Sequence, residues 1–372
     1  MWMIPPLRQH ESRRRLIGFM KRKIRWEFWP AWAAYLPLLP YLIYLAIRYR
    51  STTLFTAANP GMFCGGLIGE SKSEILRHLN NVPGAVADFV LLPAGATLGV
   101  EEFPVVVKPD VGERGTGVAI VRSVEELNHY LQNATGDTIV QRYVPGCEYG
   151  IYYVRYPDEG NGRVLYVTEK HFPSVTGDGR NSLQHLILSD PRAVCMASAY
   201  LRVAKTPVDS VPTAGQQVQL VEIGSHCRGT VFLNGSHLIT RELTNSIDRI
   251  SQAHPGFHLG RFDVRTGSAE ALQRGEFQVI ELNGVSAEAT HVYDPAVSIR
   301  EAYQVMAQHW RTAFEIGAIN RARGVSAMSA RALLRLLLPK RTALVPPPVI
   351  LPPSTSPPFI SSPHISSKTH VA

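Results

Sequence analysis

A chain of 372 residues with 45% hydrophobic and 18% charged positions can bury a real core, which excludes a disordered or fibrous protein. Its 4 cysteines (Cys64, Cys147, Cys195, Cys227) lie far apart with no C-x-x-C pair; this argues against a disulfide framework or structural zinc and for a reducing compartment. The net charge of +8 would suit nucleic acid or an acidic membrane, but much of it sits in residues 8–25, and the aromatic residues keep apolar company instead of interleaving with the charges, so no nucleic-acid partner is expected.

Residues 8–25 carry Arg8, Arg13, Arg14, Arg15, Lys21, Arg22, Lys23 and Arg25, and an apolar, aromatic run follows over 28–47. About 20 apolar residues can cross a bilayer as a helix, but Pro30, Pro37 and Pro40 interrupt helical hydrogen bonding. Trp26, Trp29, Trp32, Tyr35, Tyr41 and Tyr44 are residue types of the membrane interface. Residues 1–50 are therefore expected to lie on the cytoplasmic, anionic face of a membrane. A spanning anchor is one alternative; an arm packed on the chain's own core, or on a second copy in a homodimer, is another. Ser12-Arg13-Arg14 is separated from the apolar run by Lys21 to Glu27 and is discounted as a twin-arginine signal.

Residues 54–58 read as a short buried strand and 71–79 as a short helix, with Asn59-Pro60-Gly61 and Gly65-Gly66 in the loop between. The valine-rich stretch 103–108 and residues 117–122 are strands joined by a loop too short for a crossover helix, hence an antiparallel hairpin. Ser123 with Glu126 is a capping box that opens a helix to about 131. Strands follow at 138–143, 148–155 and 163–168. Asp190-Pro191 is expected to start a helix reaching about 203. Residues 218–223 and 230–240 read as strands, the second folded at Asn234-Gly235. A helix over 242–253, strands at 259–265 and 277–283, and a long helix from 298 to 324 complete an α+β domain. Residues 326–372 are expected to be a Pro/Ser-rich tail with no core of its own.

Two groups of residues carry chemistry. Lys108 ends a strand and is followed by Gly112, Glu113, Arg114, Gly115, Thr116 and Gly117, which offers a cation and accessible backbone N–H groups to phosphate oxygens. No Gly-Lys-Ser/Thr follows, so this is not a P-loop. In the second group, Arg261 and Asp263 share one strand face, as do Glu281 and Asn283. If the two strands pair, the carboxylates, the amide oxygen and the guanidinium converge, a donor set suited to Mg²⁺; a plain Arg–Asp salt bridge on a solvated sheet is the alternative. His226, Arg228 and Cys227 in Gly224-Ser225-His226-Cys227-Arg228-Gly229 form a third cluster, which reads either as a carboxylate or base site or as an ordinary strand-end turn.

Taken in chain order over residues 70–320, Lys108, the glycine hairpin, Gln141-Arg142-Tyr143-Val144-Pro145-Gly146-Cys147-Glu148, Gly260-Arg261-Phe262-Asp263 and Glu281-Leu282-Asn283 resemble the ATP-grasp superfamily, nearest to D-alanine–D-alanine ligase and cyanophycin synthetase. The resemblance implies two α+β subdomains clasping ATP over 103–325, preceded by a short α/β region at 51–102. It implies that Lys108 and residues 112–116 hold phosphates, with Lys72 as an earlier phosphate lysine. Gln141, Arg142 and Val144 would form the adenine edge, and Glu148 would accept from the ribose. Lys170 would be a second phosphate-region lysine, and residues 175–180 a mobile loop over the substrate. Asp263, Glu281 and Asn283 would hold Mg²⁺, with Mn²⁺ as a substitute, and Arg261 would face the reacting carboxylate. The implied activity joins a small-molecule carboxylate to an amine through an acyl-phosphate. A nucleotide sensor without turnover and an ATP-dependent phosphotransferase are the alternatives. After Asn283 the D-alanine ligases read Ser-Pro-Gly where this chain has Gly284-Val285-Ser286-Ala287-Glu288, and residues 51–102 are about half the length of their first domain, which puts a D-alanine substrate in doubt.

Overall fold

The computed structural model describes residues 6–112, 115–224 and 229–338. The arm forms α1 (Pro6–Ile24), α2 (Ala31–Tyr35) and α3 (Leu39–Arg48). The body continues with α4 (Lys72–Leu79), β1 (Phe89–Leu92), β2 (Val105–Pro109), β3 (Ala119–Val121), α5 (Val124–Asn133) and β4 (Thr138–Arg142). Next come β5 (Cys147–Val154), β6 (Arg163–His171), β7 (Ser174–Thr176), α6 (Leu183–Ser189), α7 (Ala197–Val203), β8 (Gln217–Gln219) and β9 (Val231–Asn234). The chain then runs through α8 (Arg241–Gln252), β10 (Leu259–Thr266), α9 (Ala269–Gln273), β11 (Gln278–Asn283), α10 (Ile299–Ala322) and α11 (Ala330–Leu337). Local chemistry sets most helix starts. Ser71, Ser123, Ser182, Thr240, Ser268, Ser298 and Ser329 each accept a backbone N–H three residues on, which satisfies a donor the helix itself cannot.

The strands form antiparallel sheets, the α+β class expected from the sequence. The smaller has the order β1-β4-β2-β3 and the larger β11-β10-β5-β6-β9, while β7 and β8 pair by themselves. The expected β2–β3 hairpin is present, Val106 opposite Ile120. β5 lies between β10 and β6 and is apolar on both faces. Ile151 and Tyr153 enter a core with Phe257, Phe262 and Leu282, while Tyr152 and Val154 enter a second core with Leu259, Val305 and Ile316 of α10. A strand covered on both sides reads as a continuous apolar run for that reason.

The arm is strapped to this body. Arg14 donates to the carbonyls of Leu188 (2.7 Å) and Ser189 (2.6 Å). Buried Glu27 takes both guanidinium nitrogens of Arg192 at 3.1 and 3.0 Å. Leu45 is 1% exposed against Leu54 and Phe314. The packed-arm alternative therefore describes the inward face. The outward face leaves Leu16, Ile24, Trp32, Leu36, Ile43 and Ile47 exposed. Among the described residues no helix is long and apolar enough to cross a membrane, which corrects the spanning alternative.

Several sequence expectations are also corrected. Residues 54–58 are a 3-10 turn (Leu54–Ala57), not a strand; Leu54, Thr56, Ala57 and Ala58 are all buried, so the run has no alternation to distinguish the two. Asn320 of α10 captures the Ala57 carbonyl at 2.9 Å, so that backbone bonds a helix side chain instead of a sheet. The turn at Asn234-Gly235 makes no hairpin. Gly235 has φ −98° and leads into a 3-10 turn, and a type I′ turn would need positive φ there. Asp190 does not open one continuous helix: it caps the end of α6, and its carboxylate accepts from Arg192 and Ala193 N–H to start a 3-10 turn before α7. The region read as tail begins with amphipathic α11, and the Pro/Ser-rich stretch from Pro339 lies outside the described residues.

Candidate active site

Between the two larger sheets lies a cavity of about 1200 Å³. Into it come Lys72, Lys108, Gly112, Gly115, Thr116, Gln141, Arg142 and Val144 from one side, and Glu148, Lys170, Arg261, Asp263, Glu281 and Asn283 from the other. Glu113, Arg114, His226, Cys227 and Arg228 lie outside the described residues. Every other site residue expected from the sequence reaches this one cavity, except residues 175–180. Those are held away by β7–β8 pairing, with Asp178 accepting from the backbones of Arg180 (2.9 Å) and Asn181 (2.7 Å).

Strand register assembles the acidic floor. Arg261 is opposite Asn283, and Asp263 is opposite Glu281, so the four side chains share a face as the spacing predicted. Gly150 lies opposite Asp263 on the other neighbour; a Cβ there would stand 3.1 Å from Arg261 Cδ, so glycine leaves room for the arginine to lie across the sheet. Arg261 grips Asp263 through Nε (2.9 Å) and Nη2 (3.3 Å), and Lys170 Nζ stands 3.1 Å from the same carboxylate and 2.9 Å from Glu148. These charges are almost entirely buried, so the solvated-salt-bridge alternative does not describe them. Burial alone would raise the Asp263 pKa, but Arg261 and Lys170 outweigh it and hold the carboxyl below its ordinary range. Burial likewise pulls on Lys170, and Asp263 with Glu148 reverse it, raising that lysine.

The cations opposite are differently placed. Lys108 donates to Gln141 Oε1 and, across the sheets, to the Ile280 carbonyl, both at 2.8 Å. Burial, helped by the positive charge of Lys72, lowers its pKa to about 8 against the pull of Glu281 and Asp263. Lys72 donates to the Gly112 carbonyl and stands 3.8 Å from Glu281. Its position depends on Asp110, which the sequence reading passed over. Asp110 accepts from the Ser71 hydroxyl and the Ser73 N–H, each at 2.7 Å, and so pins the start of α4 beside the cavity. Gln141 spends its amide on Lys108 and the Ala87 carbonyl, and Arg142 pairs with Asp88 at 3.1 Å.

The strand exit after Asn283 is clamped. Val285 and Ser286 N–H donate to Gly65 and Gly66 at 3.0 and 3.1 Å. A Cβ on Gly284 would lie 2.7 Å from Gly66 Cα, so this close approach needs glycine on both sides. His309 supports the same exit, with Nε2 2.9 Å from the Val285 carbonyl and Nδ1 2.6 Å from the Tyr152 hydroxyl; burial lowers its pKa to about 4, so the ring is neutral at pH 7.

Asp263, Glu281 and the Asn283 amide form a hard-oxygen donor set. Asn283 Nδ2 is buried without a partner, and Glu281 is the less engaged carboxylate, a third exposed. Among the described residues no group of three or more His, Cys, Asp or Glu that could hold a metal ion gathers anywhere, here included, so the amide of Asn283 would have to complete the set. Two carboxylates and an amide oxygen fit an octahedral cation that keeps waters and leans on phosphates.

The far wall of the cavity was missed by sequence reasoning. Phe28, Trp29 and Tyr35 of the arm line it, together with Glu288, Tyr293 and Trp310. Only the aromatic density of 26–44 hinted at a surface that binds something.

No protein-family model matches the sequence, and no curated protein matches it. Among solved structures it is similar to D-alanine–D-alanine ligase from Bacillus anthracis at 14% identity, over 68% of this chain and 69% of that one, with a TM-score of 0.43. It is also similar to a bifunctional glutathione synthetase from Pasteurella multocida (18% identity, 64% of this chain, TM-score 0.36) and to an L-amino acid ligase from Bacillus licheniformis (16% identity, 57% of this chain and 40% of that one, TM-score 0.34). The chain spans 36% of that glutathione synthetase. At these identities and TM-scores, what the cavity does is read from its own residues.

Proposed function

We propose that the chain is an ATP-dependent carboxylate–amine ligase whose nucleotide-binding body is residues 103–325. The observation that carries this is one cavity with buried cations on one wall and, facing them, an Arg261–Asp263–Lys170–Glu148 network beside Glu281 and Asn283. Lys72, Lys108 and the backbone of residues 112–116 would neutralise phosphate oxygens, and Gln141, Arg142 and Val144 would border the base. Glu148, whose Oε1 is taken by Lys170, would offer Oε2 to the ribose. Asp263, Glu281 and Asn283 would hold Mg²⁺, or Mn²⁺ in its place.

Bound MgATP would supply the γ-phosphoryl group: the carboxylate oxygen bonds to the γ-phosphorus, ADP leaves with the electron pair of the broken P–O bond, and a poor leaving group becomes an acyl-phosphate. The amine nitrogen then bonds to the carbonyl carbon, inorganic phosphate departs with the C–O bond pair, and the amine releases its proton. Arg261 would neutralise the oxyanion that develops, held in place beforehand by Asp263. Lys170, tied to two carboxylates, would add charge near the transferring group without moving. Incubation of the full chain with MgATP and a small-molecule extract, followed by mass spectrometry, should give ADP together with a new amide. Nucleotide binding without substrate-dependent ADP would point to a sensor, and a phosphorylated product formed without amine to a phosphotransferase.

The exposed apolar face of the arm, with Trp32, Ile24 and Ile47 at 73%, 77% and 72% exposure, supports a peripheral seat on an anionic membrane at the cytoplasmic side. Lys and Arg near such a surface contribute about 1 kcal/mol each. Sedimentation with phosphatidylglycerol vesicles should pellet the chain, less at high salt and less for a Trp32→Ser/Ile47→Ser double variant. Pelleting identical to that with neutral vesicles would sink this reading.

A further inference from the structure

Beyond Arg261 the cavity runs into a chamber walled by aromatic rings, and a single carboxylate stands among them. Glu288 Oε1 accepts from the Tyr35 hydroxyl, and Oε2 accepts from the Tyr293 hydroxyl at 2.7 Å. Tyr35 in turn meets Trp310 edge-on at 6.4 Å, and Tyr293 lies 6.4 Å from Phe232. Among the described residues no lysine, arginine or histidine nitrogen lies within 4.0 Å of the Glu288 carboxylate. Other acids of the cavity differ: Glu148, Asp263 and Glu281 each face a cation. Phenol donors orient Glu288, Arg261 acts on its charge only from beyond ion-pair distance, and each of its oxygens keeps acceptor capacity.

Glu288 is also tied to the reaction centre. Its own carbonyl accepts from Arg261 Nη1 at 2.9 Å, so the carboxylate sits one residue's reach from the guanidinium assigned to the reacting carboxyl group. Phe28 and Trp29 line the same cavity from the arm, and aromatic faces favour a cation while burying an apolar body.

We propose that Glu288 binds the ammonium group of the amine substrate and that the arm residues Phe28, Trp29 and Tyr35 select an amine with an aromatic or bulky apolar body. This rests on the ligase reading and names its acceptor class. The arm is then part of the substrate site, and residues 51–102 need not supply it.

Calorimetry on the full chain with three probes tests the inference: phenethylamine, 2-phenylethanol (the same body without charge) and ethylamine (the charge without the body). Phenethylamine should bind at least about tenfold more tightly than either, because both a charge-assisted contact and apolar burial are used. Glu288→Gln should bring phenethylamine down to the level of 2-phenylethanol. Trp29→Ala, a half-buried change that keeps the carboxylate, should weaken phenethylamine and leave ethylamine alone, which keeps the test open if Glu288→Gln does not fold. Equal phenethylamine affinity in the parent chain and Glu288→Gln, or in the parent chain and Trp29→Ala, would overturn the assignment, as would no preference among the probes. ATP titration of the same samples separates the two readings: nucleotide binding without amine selectivity sinks this chamber alone, and amine selectivity without nucleotide binding sinks the ligase.

Discussion

At one end of the cavity the side chains ride on strands whose register is set by backbone pairing; at the other they come from an arm held by a few side-chain anchors. Arg261, Asp263, Glu281 and Asn283 meet because β10 and β11 pair residue against residue. Tyr35 meets Glu288, and Trp29 reaches the same cavity, because Glu27 finds Arg192, Arg14 finds two carbonyls at the end of α6, and Leu45 enters a cluster with Phe314. The strand end should tolerate little and lose chemistry before fold. The arm end should come loose as a unit when an anchor is cut.

The sharpest break in that contrast is Glu281→Gln. It should lower substrate-dependent ADP release by roughly a thousandfold, as expected when charge stabilisation at a reacting group is removed, with an unchanged melting curve, since Glu281 is a third exposed and its nearest cation is 3.8 Å away. Asp263→Asn should lose activity as well, and in addition about 3 kcal/mol or more in urea denaturation, because Arg261 and Lys170 would be left buried against a neutral group. If both variants melted alike, the distinction between a metal-facing and a network carboxylate would fail.

Next in size is Lys108. Lys108→Ala should weaken ATP binding by on the order of tenfold or more by calorimetry, from the loss of a buried point charge. In the parent chain ATP affinity should fall as pH rises through about 8, where Lys108 loses its proton, and this step should vanish in Lys108→Ala. Stability moves the other way. Between about 8 in the folded chain and 10.5 in the unfolded one, the unfolded chain binds more protons, so this group's contribution to stability rises with pH through that window. A flat affinity profile from pH 7 to 9 would refute the assignment.

At the arm, Glu27→Gln should cost about 2 kcal/mol, the scale of hydrogen bonds to a charged group, and limited proteolysis should then cut ahead of residue 30 while the body stays intact. Simultaneous degradation of arm and body would show that the two are not separable. The smallest effect should come from Tyr130→Phe, which removes a 2.6 Å bond to the Gly117 carbonyl behind the hairpin loop. It should lower stability by about 1 kcal/mol and weaken ATP only a few-fold; an effect as large as that of Lys108→Ala would mean the loop depends on this anchor.

Much of the body could be read from the sequence because its determinants are local. Ser71, Ser123, Thr240 and Ser298 mark helix starts by hydrogen bonds within a few residues, and alternation along 259–265 and 277–283 puts Arg261 with Asp263 and Glu281 with Asn283 whatever surrounds them. Tertiary structure alone decided the rest. Residues 54–58 have no period of their own and became a turn because Asn320 claims their carbonyl. Gly235 took a negative φ, with the adjoining Asn234 N–H bonded to Asp294 from sixty residues away. The arm carries the same tryptophans and basic residues whether it covers a membrane, a partner or its own body; which face turns inward depends on partners such as Arg192 and Glu288, more than a hundred residues distant along the chain. Contacts of that span leave no spacing to read, because each partner is an ordinary polar residue until the fold brings it within hydrogen-bonding distance.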